Sequence, residues 1–405
     1  MMFRLAIATI LSGLFFASSL SAQDYIHGPW TKDNMLLLDP TLEIEATDAV
    51  NAMYNFKFEE AEFKFREFQE RWPDHPLPDF LFALTYWWRM MPNLESEAWC
   101  AQYQSYFLKY IDLSIDKSKA LYKADKENPE AAFFLAAAYG FKGRLFAEHG
   151  KLVKAGSEGQ NALHYLKKME GKNALSPEFL FGDALFNYYA EWIREEYPLL
   201  RPVMKLFPKG NKQKGLAQLE EVAHNAFYTR VEAQYFQMRI WYNEEDDKEK
   251  AYPVAKYLST YFPDNPYFQR IQARIAFDMG YRQECQKISE DILYKITIGM
   301  PGYEATSGRY ASFYLAYMHK NYYKNPAKAK EYYLQTMYFA QQSDDGAIRL
   351  NYYLYSVAEL ARMAHAENDI RGARAYWTTV KDNTKKGHSL HEEAVKYLKT
   401  NKLPR

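Results

Sequence analysis

Two stretches of this 405-residue chain carry the same joint. Phe58-Glu59-Glu60-Ala61 opens an amphipathic run that closes on Trp72-Pro73-Asp74-His75-Pro76, and Ala251 opens another that closes on Phe262-Pro263-Asp264-Asn265-Pro266. In both, the small residue precedes the first proline by 12 positions (73 − 61 and 263 − 251). An alanine there lets two antiparallel helices cross closely, and the proline closes the second helix and turns the chain toward the next pair. The small slot recurs at Ala217, Ala251 and Cys285, each 34 residues from the last (251 − 217 and 285 − 251). It returns at Ala329 and Ala373 after intervals of 44 (329 − 285 and 373 − 329), so helices or loops are longer there. Gly280 leads into Cys285 as Asn368 leads into Ala373, with Ile288 and Ile292 in one case and Trp377 and Val380 in the other continuing the apolar stripe. A unit of this size cannot bury its stripe alone, so neighbouring units must stack.

From about residue 43 the chain reads as helix after helix, without strand-like alternation. Asn128-Pro129, Ser176-Pro177, Asn265-Pro266 and Asn325-Pro326 each put a capping side chain before a proline at the first helical position, where the missing N–H costs nothing. This pattern resembles the tetratricopeptide repeat family over roughly residues 43–400. The match is good around Ala61, Ala251, Cys285 and Ala373, looser at Ala217 and Ala329, and out of register over 95–175. The resemblance implies an all-α solenoid of helical hairpins, a right-handed superhelix with irregular, partly longer repeats. A second likeness, over about 182–275, rests on Gly182, Leu185-Phe186-Asn187, Gly210-Asn211-Lys212, Gly215-Leu216 and Gln218-Leu219. These are similar to the eukaryotic tetratricopeptide repeat-39 type, in which the stretch interrupts the regular array. Pro198, Pro202 and Pro208 agree, predicting an insertion near 197–212.

Residues 1–22 read as an export signal: Arg4 supplies a positive start, Leu5 to Leu20 an apolar core, and Ser19-Leu20-Ser21-Ala22 a small-residue cleavage site after Ser21 or Ala22. The core is shorter than the roughly 20 residues of a spanning helix, and no cysteine follows it to take a lipid. The expected organisation is therefore a signal (1–22), a lead segment (23–42), an N-terminal helical half (43–175) and a C-terminal half (176–405). The mature chain is expected in the periplasm or outside the cell, without a transmembrane segment, in an envelope-associated complex.

Charge argues against polyanions. Lys+Arg and Asp+Glu both number 51, and removal of Arg4 with the signal leaves 50 against 51. No global field then draws nucleic acid or an anionic membrane. One local basic cluster, Arg201, Lys205, Lys209, Lys212 and Lys214, is either a solubilising loop or a dock for an acidic partner or lipid headgroups. Cys100 and Cys285 fit no metal-spaced motif and, in separate repeats, are expected to be buried free thiols.

Searching for chemistry yields little. There is no phosphate-binding glycine loop; Gly150-Lys151 and Gly156-Ser157-Glu158-Gly159 read as an inter-helix connection. His388, His391 and Glu392 share a helical face, but three polar residues on an exposed last helix are more simply solvated than metal-bound. No metal, cofactor or catalytic residue is expected. The enzymatic alternative is a carbohydrate-active α/α-toroid, a glycosidase or lyase, with paired carboxylates near Glu191-Trp192, Glu195-Glu196 or Asp246-Asp247.

In the tetratricopeptide family the first helix of each pair lines a concave groove. The resemblance therefore implies groove residues at Tyr267, Arg270, Arg274 and Asp278, at Tyr314, Met318, Asn321 and Tyr322, and at Tyr355, Arg362 and His365. Arg270 and Arg274, spaced i, i+4, would grip a carboxylate together. Tyr and Arg dominate binding hot spots, and an extended groove suits a protein tail or linear peptide. The expected function is a non-catalytic scaffold or adaptor for a protein or peptide partner.

Overall fold

A computed structural model describes residues 35–205, 207–343 and 351–401. The export signal and most of the lead segment lie outside the described residues. Those described form helices, with no strand among them. The first unit begins with α1 (Pro40–Tyr54), α2 (Phe58–Arg71), α3 (Pro76–Met90), α4 (Gln104–Ala124), α5 (Pro129–Glu148) and α6 (Leu152–Lys168). It continues through α7 (Leu180–Glu196), α8 (Lys212–Asn225), α9 (Arg230–Arg239) and the start of α10 (Lys248–Tyr261). The second holds α11 (Pro266–Asp278), α12 (Arg282–Thr297), α13 (Ala305–Asn321), α14 (Pro326–Gln342), α15 (Asn351–Ala366), α16 (Ile370–Asp382) and α17 (Ser389–Thr400). None of the described helices is long and apolar enough to cross a membrane.

The division falls inside α10, between Val254 and Ala255, rather than at the expected 175/176 boundary. The reason is a core shared across that boundary. Phe133 of α5 packs on Phe179, ring centroids 5.6 Å apart, and Trp88 of α3 donates to Glu232 of α9.

Local chemistry sets the helix ends. Asn128, Asn265 and Asn325 each accept backbone N–H bonds from the first turn behind them, with proline at the first position. Ser176 does the same for Glu178, but the start there is a 3-10 turn, Pro177–Phe179, that runs into α7. Two further starts of this kind escaped the sequence: Asp39 caps Pro40–Tyr54, and the His75 ring accepts from Leu77 N–H at the start of α3. Consequently α1 begins at Pro40, inside the presumed lead segment, and Met35, Leu37 and Leu38 ahead of it are buried. The duplicated joints match closely, with helix from Pro76 in one case and Pro266 in the other.

Ala61, Ala251, Cys285, Ala329 and Ala373 are all fully buried, as close-crossing positions must be. Ala217 is not; it is exposed. In α8 the close crossing is made by Gly215 instead, where a Cβ would sit 2.6 Å from the Tyr188 backbone nitrogen and 2.7 Å from the Ala184 carbonyl. The lost register over 95–175 also has a cause: α4, α5 and α6 run 21, 20 and 17 residues, against 13 for α11. Helices α13 and α14, at 17 residues each, contribute to the longer intervals of the second unit. Gly150 lies in a turn, with φ of 70°, whereas Gly156 and Gly159 lie within α6 and are not part of a connection.

The insertion near 197–212 is a 3-10 turn (Pro198–Leu200), a single helical turn (Arg201–Met204) and a loop. Arg194 of α7 staples it by donating from Nη2 to the carbonyls of Met204, Phe207 and Pro208 at 2.7, 2.9 and 3.0 Å. Gly210 lets the loop press on α7, since a Cβ there would fall 2.4 Å from the Asn187 carbonyl.

Candidate functional site

The groove residues expected in the second unit separate into two kinds. Arg270 is buried, donating to Ser307 Oγ at 3.1 Å and lying 3.6 Å from Glu304 Oε1. Glu304 in turn caps α13 by accepting from Thr306 N–H. The carboxylate grip inferred for Arg270 therefore exists, but an internal glutamate occupies it, tying α11 to α13. Arg274 is half-buried and acts electrostatically on the Tyr314 and Tyr352 hydroxyls. Tyr314 and Met318 are core, not groove: Tyr314 is enclosed by Phe277, Phe313 and Tyr352 and has no surface to offer. Arg362 is held by Glu359 and Glu393, and Asn321 bonds back to the Tyr317 carbonyl. His365 meets the Tyr397 hydroxyl at 2.9 Å. Tyr267 is half-buried against Arg270, while Asp278 and Tyr355 are exposed.

Tyr322 belongs to a different surface from the one inferred. Arg282, the first residue of α12, sits 3.7 Å over its ring, within reach of a strong cation–π contact. Tyr281, Tyr322 and Tyr323 are all exposed, and Tyr323 donates to Gln286 Oε1 at 2.6 Å. The start of α12 and the end of α13 thus present three tyrosines and one arginine on the second unit's surface. Doubled tyrosines and a Gly280-Tyr281-Arg282 turn were the available sequence signals.

Of the basic cluster, Lys212 is committed: it pairs with Glu245 at 2.8 Å and Glu195 at 3.3 Å, while its backbone N–H donates to Glu191. Arg201 donates to the Arg194 carbonyl. Lys205, Lys209 and Lys214 are exposed. Four of the five acids offered for an enzymatic reading have structural work. Glu191 holds the start of α8, Glu195 pairs with Lys212, Asp246 with Lys248, and Asp247 accepts from Lys250 N–H. His388, His391 and Glu392 serve local hydrogen bonds at the start of α17 rather than converging on one point.

The first unit holds features that sequence reasoning did not find. Between α5, α6, α7 and α9 lies a cavity of about 200 Å³. Phe133, Phe141, Leu163, Leu185, Phe186 and Phe236 supply apolar wall. Arg144 and Tyr189 also line it, with the Tyr189 hydroxyl and Arg144 Nε buried behind the wall. Arg144 Nη2 donates to the Tyr235 hydroxyl at 2.6 Å, and Arg239 donates to the same oxygen at 2.9 Å. Behind them Glu232 is buried, its carboxyl pushed up to about 7 by desolvation, against the opposing pull of Arg144 and the Trp88 hydrogen bond. Nearby, Glu178 gathers the backbone N–H groups of Phe227, Tyr228 and Thr229 together with the Thr229 hydroxyl.

No protein-family model and no curated protein matches the chain. Among solved structures it is similar to human IFIT1, in a dimer with m7Gppp-AAAA, at 14% identity. That match covers 87% of this chain and 94% of the other, with a TM-score of 0.33. An overlap this loose supports no inference about ligand or activity.

Proposed function

We propose that this chain is an exported helical-repeat scaffold that docks a protein or peptide partner and performs no chemistry of its own. The observation that carries the proposal is the exposed Arg282–Tyr322 stack, flanked by Tyr281 and Tyr323. Tyrosine and arginine concentrate binding energy because each covers a large area at modest entropic cost. Three tyrosines and an arginine exposed together have the composition that binding surfaces favour. Membership of the tetratricopeptide repeat family belongs to this same proposal, supported by the duplicated joints and the buried small slots, as does the likeness to its repeat-39 type over about 182–275.

The test is capture of partners from envelope and extracellular fractions by the mature protein, compared with a double variant, Arg282→Ala with Tyr322→Ala. Both residues are at the surface, so folding should persist. Partners lost from the variant but retained by Lys209→Ala would support docking on this face. An unchanged partner set would remove the assignment. Export is tested separately, by fractionating cells that express the chain with and without residues 1–22; equal distribution would refute it.

A further inference from the structure

We propose that the cavity of the first unit binds an uncharged lipid with one straight alkyl chain, of the long-chain alcohol class. This inference is independent of the partner surface on the second unit.

Shape selects a chain. The wall runs from Phe133 to Arg144 on α5, from Gly159 to Leu166 on α6 and from Phe181 to Tyr189 on α7. Contacts hold these stretches side by side. At one end Phe133 meets Phe179 just before α7, and Gly182 lets α7 approach Leu166, with a Cβ there falling 2.6 Å from Leu166 Cδ1. At the other, Gly143 lets α5 cross α6, a Cβ there lying 3.5 Å from the Gly159 nitrogen, and Arg144 and Tyr189 both pack on Phe236. The α5 stretch covers 11 residue steps (144 − 133), about 16 Å at the helical rise. A volume of about 200 Å³ spread over that length is a narrow channel, not a round void. It still exceeds the roughly 150 Å³ that accepts benzene in an engineered apolar site. Gly140 lines it and is exposed, and a Cβ there would meet nothing within 4 Å, so the channel opens to solvent at that point.

Polarity excludes charge. The charge in the wall belongs to Arg144, and that group is already engaged. Its Nη2 donates to the Tyr235 hydroxyl at 2.6 Å, and the rings of Trp87, Tyr235 and Phe236 lie 4.9, 5.2 and 5.2 Å from the guanidinium carbon. Buried Glu232 balances it, as Glu244 balances Arg239. Arg144 Nε and the Tyr189 hydroxyl are buried behind the wall, out of an occupant's reach. A charged head drawn into the channel would lose its water and find no counter-charge. Methylene groups lose nothing there and gain apolar burial.

Calorimetric titration of the full mature chain with n-hexanol, n-octanol and n-decanol tests the proposal, alongside sodium decanoate, decyltrimethylammonium and naphthalene. Decanol should bind. From hexanol to decanol each added methylene should tighten binding about fourfold, the factor for burying one CH₂ group. The two charged analogues should bind about tenfold or more weakly than decanol, because their heads resist entry. Naphthalene, short and rigid, should also bind more weakly. Ala162→Leu, filling the channel from α6, and Gly140→Leu, at the opening, should each weaken decanol about tenfold or more, with helix content retained by circular dichroism. No decanol binding, a flat chain-length series, or decanoate binding equal to decanol would each overturn the proposal. So would undiminished decanol binding in both variants, and naphthalene binding as tightly as decanol would overturn it in favour of a compact aromatic occupant. The chain-length series uses the unaltered protein, so the test stands even if neither variant folds.

Discussion

The Trp88 indole donates to Glu232 Oε1 at 2.9 Å, joining α3 to α9 across 144 positions of sequence. The other carboxylate oxygen has no hydrogen-bond partner. A carboxyl so placed prefers to be neutral, and desolvation pushes it from 4.5 up to about 7.

A pH dependence follows from that shift. The folded state keeps a proton that the unfolded chain releases near 4.5, so folding takes up a proton between that pH and about 7. Stability from this group is therefore highest in acid, falls as pH rises through that window and levels off above it. Glu232→Gln keeps an acceptor for Trp88 without the charge. Relative to the parent it should gain on the order of 3 kcal/mol at pH 8 and little at pH 4.5. Urea midpoints of both proteins at the two pH values measure this; equal midpoints at pH 8 would refute a buried ionising carboxylate.

Glu178 is the opposite case, a buried carboxyl with its acceptors filled. It receives three backbone N–H bonds at 2.6, 2.8 and 3.0 Å and the Thr229 hydroxyl at 2.6 Å. Burial pushes its pKa up, while the four donors pull it back. Glu178→Ala strands donors at the start of α9 and should cost about 3 kcal/mol or more. Glu178→Gln keeps one acceptor oxygen and should fall between alanine and the parent. Thermal unfolding of the three proteins gives the order, and an alanine variant as stable as the parent would contradict the role.

These two glutamates also show where the sequence runs out. Helix starts at Asn128, Asn265 and Asn325 were legible because cap, proline and first turn are adjacent in the chain. The buried slots at Ala251, Cys285 and Ala373 were legible because stacking repeats the same demand at regular intervals. Glu178, Glu232 and Arg144 draw their partners from up to 51, 144 and 91 residues away, with nothing local to mark them. Arg270 and Tyr314 went astray for a related reason. A helix face turned toward a groove and one turned toward the next helix carry the same spacing, and only the neighbouring side chains, Glu304 for one and Phe277 for the other, decide between them.

The register of α8 gives a sharp comparison. Gly215→Ala adds helix propensity worth about 1 kcal/mol, but its Cβ would meet the α7 backbone at 2.6 Å. Backbone cannot yield as a flexible side chain can, so a net loss of about 2 kcal/mol is expected. Ala217→Ser, at an exposed position two residues later, should change stability by under about 0.5 kcal/mol. Denaturant unfolding of both variants discriminates; a larger loss at Ala217 would restore the 34-residue register that the sequence suggested.

The two cysteines report on the units separately, because Cys100 lies before Val254 and Cys285 after it. Both thiols are buried, and burial pushes Cys285 up to about 12. Thiolate is the reacting species, so at pH 8 a folded Cys285 should resist iodoacetamide even if the reagent reaches it. Labelling then requires opening of the unit that holds the cysteine. In urea each site should label along the unfolding of its own unit, read by mass spectrometry of the two peptides. Coincident midpoints would mean that the two units unfold as one cooperative block; separate midpoints would mean independent stability on either side of α10. Rapid labelling of Cys285 without denaturant would contradict its place at a closed helix crossing.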